Sequence, residues 1–287
     1  MSRLPVIATL WIGTRLSWLE QLCLKSFVDA GHVVFLYCYD LIGNAPAGVT
    51  LRDARDIFPG DTIIRHARTG SPAIHADIWR LHLMQRTDYV WMDADMLCIR
   101  PVDFDMPFVF GLEKPHQVCN AALRLPASSA TLARLLDFIA DPYAIGPWLK
   151  PDQQAQLRAA ADRGEPVHFS HQDWGLTGPA ALSHYLRETG EWDYAQPQSV
   201  FYPVSFRDRN KVILSRFDIG ADFLTDQTRT LHLWARRLKP RLHEAEQNRP
   251  RRGSFLDQAL RRHGITPEDA PIPARVVNAA HPPDHPR

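Results

Sequence analysis

The stretch from Ile74 to Pro101, IHADIWRLHLMQRTDYVWMDADMLCIRP, decides how the rest of the chain is read. Its first half places Ile74, Ile78 and Leu81 at helical spacing, with Asp77 and Arg80, three apart, on another face, so Ala73 to Arg86 is expected to be a helix. The apolar run Tyr89-Val90-Trp91-Met92 then reads as a central buried strand, and Asp93-Ala94-Asp95 closes it. Two carboxylates at i and i+2 just past such a strand can turn toward one crevice at the C-terminal edge of the sheet, where open α/β sheets bind ligands. Hard oxygen ligands of this kind hold Mg²⁺ or Mn²⁺ and leave coordination positions free for diphosphate oxygens. The alternative is plain: Asp is common in strand-to-loop turns because its side chain caps backbone N–H groups.

Working toward the N-terminus, Val6 to Trp11 reads as a buried strand, Ser17 and Glu20 as a capping box for a helix that stops at Gly31, and Val33 to Tyr39 as a second strand. Strand, helix and strand with short connections make a βαβ unit, which builds a parallel sheet through a right-handed crossover. Between Asn44 and Thr69, Pro46, Gly48, Pro59 and Gly60 mark turns, so loops and one short strand are expected. Beyond the acidic motif, Phe108 to Leu112 and Ala121 to Leu125 are expected as strands, Ala130 to Ala140 as a helix, and Pro179 to Glu188 as another with Gly190 at its end. Ser199 to Val204 and Thr230 to Trp234 read as late strands, and Thr266 to Arg287, rich in Pro, Ala and His, as a poorly ordered tail.

A chain of 287 residues, 45% of them hydrophobic, can bury a large core, which excludes disorder throughout. The net charge of +1 argues against a protein dedicated to nucleic acid. Cys23, Cys38, Cys98 and Cys119 show neither a C-x-x-C pair nor zinc spacing, so reduced and buried thiols are expected. Met1 to Trp11 lacks the pattern of a signal peptide, and no apolar stretch reaches about 18 residues, so a cytoplasmic protein is expected.

Ile74 to Pro101 is similar to the D-x-x-R…D-x-D region of GT-A glycosyltransferases, in particular the family 32 group of α-galactosyl- and α-mannosyltransferases, with the glucosylating toxins as distant relatives. Three further segments agree in order with that resemblance: the strand ending in Trp11-Ile12-Gly13, the stretch Leu176-Thr177-Gly178-Pro179-Ala180-Ala181-Leu182, and His232-Leu233-Trp234. The resemblance implies an α/β, GT-A-like nucleotide-diphospho-sugar transferase fold, a mixed central sheet flanked by helices, over residues 1–245, with 246–287 as a C-terminal extension ending in a partly disordered Pro-rich tail. It implies a metal-dependent transfer of a hexose, galactose or glucose favoured, from a UDP-sugar to a saccharide or glycolipid hydroxyl with retention of configuration.

Residue by residue, the resemblance gives Asp95 to Mn²⁺ or Mg²⁺ and Asp93 to the metal or the ribose, with His232 as a further metal ligand; a core histidine is the alternative. Asp77 and Arg80 carry the sugar-contacting pair, where a surface i,i+3 ion pair is the alternative. Trp11 matches a position that stacks on uracil, unless it is a core tryptophan. Asn120 and Asp173 fall in segments that line the donor and acceptor pocket, or else cap turns. One departure stands out: relatives often have a Gly-Gly turn before the D-x-D strand, whereas this chain has Arg86-Thr87-Asp88.

Arg236, Arg237, Lys239, Arg241, Arg249, Arg251 and Arg252 form a basic stretch that reads first as a solvated helix face. With a lipid-linked acceptor it would instead make peripheral contact with anionic membrane, at about 1 kcal/mol per basic residue near the surface. Two rival functions are a haloacid dehalogenase-type phosphatase, in which Asp93 would be the nucleophile, and a non-catalytic carbohydrate-binding protein on a transferase fold.

Overall fold

The computed structural model describes residues 4–274. Ile7–Trp11 (β1), Val34–Cys38 (β2) and Val49–Asp53 (β3) are short and apolar in the first two cases, and they pair in parallel with Ile7 opposite Val34 and Val34 opposite Val49. Helix α1 (Trp18–Asp29) makes the crossover from β1 to β2. It starts where the Glu20 carboxylate accepts from the Ser17 N–H at 3.0 Å, and it is followed by Gly31 at φ +93°, a left-handed position that glycine adopts without a Cβ clash. Helix α2 (Ala73–Arg86) has the expected bounds and leads to β4 (Val90–Met92), which lies parallel to β1.

After β4 the chain forms β5 (Met96–Cys98), then a hairpin of β6 (Val109–Lys114) and β7 (Gln117–Arg124) turning at Pro115-His116. Strand β7 runs antiparallel to β4, so the central sheet has the order β3-β2-β1-β4-β7-β6, mostly parallel and mixed, as expected. The sheet is flanked by helices. Side chains alternate along β4: Trp91 joins the core beneath α2, α3 (Ala130–Ala140) and α5 (Ala181–Glu188), while Val90 and Met92 join the opposite face with Leu24 and Phe27 of α1. That alternation decides the site, because Asp93, two residues after Trp91, falls on the α2 side.

Helix α4 (Pro151–Asp162), which the sequence reading did not identify, has no buried residue; nothing in its apolar pattern marks it. Proline 179 does not open a regular helix: Leu176–Ala180 is one wide turn, with Gly178 outside helical geometry, and α5 begins at Ala181. Ser199 to Val204 is not a strand. Gln198–Phe201 is instead a short helix (α6), started by Pro197 at φ −55° with Val200 and Phe201 buried. A short apolar run buried on all sides has no period by which strand and helix differ.

Further along, Ile219–Phe223 (α7) precedes β8 (Thr230–His232), which pairs antiparallel with β5, Met96 opposite His232. The strand ends at His232 rather than Trp234, because Trp234 is left-handed at φ +53° and starts α8 (Ala235–Ala245). Helix α9 (Phe255–His263) packs with α1, β8 and α8 in a third core of Trp18, Leu22, Leu97, Leu231, Leu238 and Leu256. Ala270 and Ile272 are buried in the same core, the Ala270 carbonyl accepting from the Trp18 N–H at 2.7 Å, so the start of the expected tail is packed. Residues 275–287 of that tail lie outside the described residues. All four cysteines are free and buried. No helix among the described residues is long and apolar enough to cross a membrane.

The basic stretch departs from a simply solvated face. Lys239 pairs with Glu20 and so ties α8 to α1, while Arg241 and Arg251 pair with Glu246 and Arg249 with Glu268, within the C-terminal region itself.

Candidate functional site

Asp77 is buried on α2, one turn before Arg80, and both side chains are almost sealed from solvent. A carboxylate in that position needs partners for its lone pairs. Asp77 Oδ1 accepts from Asn120 Nδ2 at 2.9 Å and lies 3.3 Å from Arg80 Nη2, while Oδ2 accepts from Thr177 Oγ1 at 2.9 Å. Burial nonetheless pushes its acidity toward the neutral form, against the opposing pull of Arg80, Thr177 and Asn120. Gly178 lets the turn close on this pair: a Cβ there would stand 3.0 Å from Asp77 Oδ2 and 3.2 Å from Asn120 Nδ2, tighter than ordinary contact.

Arg80 joins Asp77 to the acidic motif. Its Nη1 lies 3.2 Å from Asp93 Oδ1 and donates to the Asn120 carbonyl at 2.5 Å, Nε donates to the Ala76 carbonyl at 3.2 Å, and the guanidinium stacks over Trp91 at 4.4 Å. The Trp91 indole N–H donates to Asp93 Oδ1 at 2.7 Å. One cation thus serves two carboxylates, and a planar guanidinium over an indole suits that task better than a lysine.

Asp95 faces the other way, toward β8 and α8. Its Oδ1 is 3.3 Å from His232 Nε2, and Oδ2 accepts from the Ala235 N–H at 2.8 Å. The left-handed Trp234 turns that N–H onto the carboxylate; such a conformation in a bulky residue costs roughly 1–3 kcal/mol and tends to persist at functional sites. Burial would raise the Asp95 carboxyl, but His232, the Ala235 N–H and Lys239 hold it below the ordinary carboxylate range. Burial would likewise lower the His232 imidazole, yet the Asp95 charge raises it well above the ordinary value. His232 Nδ1 is buried without a hydrogen-bond partner.

Asp93, Asp95 and His232 each offer one ligand atom, and these atoms lie within 4.8 Å of one another. Two carboxylates and the Nε2 of an imidazole are a donor set suited to Mn²⁺.

The structure brings Asp77, Arg80, Asp93 and Asn120 into one network and sets Asp95 and His232 beside it. Trp11, half-buried at the end of β1, donates its indole N–H to the Arg15 carbonyl at 3.1 Å, and Lys239 lies 5.4 Å over its ring. Because β1 and β4 run parallel, Trp11 at the end of β1 belongs to the same sheet edge as the residues that follow β4. Asp173 is exposed and bonded to Gln153 of α4; among the described residues it has no bond to the Asp77–Asp93 network.

Sequence reasoning missed Thr177, Trp91 and the Ala235 N–H. Trp91 was recoverable, being on Asp93's face of the strand, and Thr177 lay inside a quoted segment. The Ala235 N–H had no signal, because a backbone donor is aimed by conformation and not by residue type.

No family model matches the chain, and no curated protein matches it in sequence. Among solved structures, it is similar to the PaToxG glycosyltransferase at TM-score 0.41 and 14% identity, over 64% of this chain and 70% of that one. It is also similar to the apo structure of the WbbM bifunctional glycosyltransferase, at TM-score 0.28 and 11% identity, over 66% of this chain and 50% of that one. With such scores neither likeness carries an argument about this chain, whose fold is described by its own strand order.

Proposed function

We propose that the protein is a metal-dependent glycosyltransferase that moves a hexose, galactose or glucose favoured, from a UDP-sugar to a hydroxyl of a saccharide or glycolipid, with retention. The observation that carries the reading is the convergence of Asp93, Asp95 and His232 within 4.8 Å, beside the buried Asp77–Arg80 pair at the end of β4. A bound Mn²⁺ or Mg²⁺ would act as a Lewis acid on the diphosphate and orient it.

The remaining roles fall to the chain itself. Asp77, fixed by Asn120 and Thr177, accepts from sugar hydroxyls, and Arg80 positions Asp93 while offsetting charge at both carboxylates. Trp11 offers an indole for the uracil, and Asp173 lies on the acceptor side. In the transfer, the acceptor oxygen bonds to the anomeric carbon as the bond from that carbon to the diphosphate oxygen breaks. The electron pair leaves on the diphosphate, which also takes the hydroxyl proton. Positioning and electrostatics carry such a reaction, with no carboxylate pair of the glycosidase kind required. Residues 1–245 would form the transferase domain, with the extension bracing α1.

The test is release of UDP from UDP-glucose and UDP-galactose with Mn²⁺, with and without chelator. Metal-dependent release is expected. Release of phosphate from an aryl phosphate, abolished in Asp93→Asn, with none from either UDP-sugar, would favour the phosphatase instead.

A further inference from the structure

Trp174 is the one exposed tryptophan of the eight in the chain, with 40% of its surface open. An indole left in solvent is unusual for a residue that buries so much apolar area elsewhere in this fold, as Trp18, Trp79 and Trp91 do. It is nevertheless held in place. The Arg236 guanidinium lies 4.0 Å over its ring, and the His66 ring meets it edge-on at 5.3 Å. His66 is itself fixed, its Nε2 lying 3.2 Å from the Gln172 carbonyl.

Its location follows from two bonds. Three residues after Trp174, past a left-handed Gly175, Thr177 donates to Asp77; one residue before Arg236, the Ala235 N–H donates to Asp95. The contact between Trp174 and Arg236 therefore joins the segment that secures the Asp77 network to the segment that secures Asp95 and His232. Around the indole stand the Arg236 guanidinium and the His66 imidazole, and the preceding residue, Asp173, is exposed and bonded to Gln153 of helix α4.

We infer that Trp174 is the platform for the acceptor, and that the acceptor binds there through a pyranose ring stacked on the indole face opposite the Arg236 guanidinium. A pyranose presents a flat C–H face and a rim of hydroxyls, which matches a pre-oriented aromatic surface with donors and acceptors at its edge. Because Arg236 and His66 already hold the ring, little side-chain freedom is lost on binding. The identification of this ligand as acceptor rests on the transferase reading; the saccharide-binding surface does not.

The test is saturation-transfer NMR on the full chain with methyl β-D-galactopyranoside, methyl β-D-glucopyranoside and methyl α-D-mannopyranoside, in wild type, Trp174→Ala and Trp174→Phe. Calorimetry with UDP and Mn²⁺ is run on the same samples. Saturation of the ring C–H protons of at least one glycoside is expected in wild type, falling by about tenfold in Trp174→Ala and largely kept in Trp174→Phe. UDP affinity should stay within about twofold in both variants, a difference of under ~0.5 kcal/mol. Equal saturation in wild type and Trp174→Ala, or none from any of the three glycosides in wild type, overturns the platform. Glycoside binding that depends on Trp174 in a protein that does not bind UDP upholds the platform and overturns the transferase reading.

Discussion

The two sides of the acidic site are built on different terms. Around Asp77, every partner is internal: Asn120, Thr177 and Arg80 satisfy the carboxylate, and Trp91 with Arg80 holds Asp93. Around Asp95, the protein supplies a backbone N–H and the Nε2 of His232, and with Asp93 these side chains hold their ligand atoms within 4.8 Å of one another. The first side is closed and should contribute mainly to stability; the second gathers a donor set suited to a divalent cation and should contribute mainly to binding. Chain topology explains the contrast, since β4 ends at Met92 and the turn after it leaves Asp93 facing α2 and Asp95 facing β8.

The largest stability effect is expected from Asp77→Ala. Removing the carboxylate leaves Asn120 and Thr177 unpaired and Arg80 with only Asp93, so urea unfolding should show a loss of about 3 kcal/mol or more. A loss below ~1 kcal/mol would mean that the network does not act as a unit. Thr177→Val keeps the shape and removes one donor to a buried carboxylate, and it should cost about 1–3 kcal/mol in the same measurement.

The closed side also has a pH signature outside the metal ligands. Burial, reinforced by Arg65, lowers His75 from the ordinary 6.5 to about 4, and its Nε2 lies 2.8 Å from the Tyr39 hydroxyl. The unfolded chain therefore binds a proton that the folded chain refuses between those values. Stability from this group is complete above pH 6.5 and is lost as the pH falls toward 4. His75→Gln should flatten the pH dependence of unfolding over that window; an unchanged slope would assign it to other groups.

Asp95→Asn should cost less stability than Asp77→Ala, because an amide oxygen can still accept from the Ala235 N–H and His232 can shed its proton once the neighbouring charge is gone. A destabilisation as large as that of Asp77→Ala would erase the distinction between the two sides.

Much of this was legible in the sequence because the signals were local. The period of α2, the apolar run of β4 and the Ser17/Glu20 cap are written in neighbouring residues, and the helix bounds came out as read. The misreadings share another cause. Gln198–Phe201 became a helix because its burial comes from β6 and β8, elements distant in sequence, and the β5–β8 pairing is likewise non-local. In the site, Asp77, Arg80, Asp93, Asp95 and His232 converge as residue types suggested. Trp174 was passed over because exposure cannot be read from one residue's identity.

The most direct test of the Asp95 side is calorimetric titration of UDP into wild type and Asp95→Asn, each with Mn²⁺ and with chelator. UDP binding that requires Mn²⁺ and is lost in a folded Asp95→Asn protein is the predicted result. Binding of UDP that is indifferent to both metal and Asp95, or absent from wild type with Mn²⁺ present, would contradict the account.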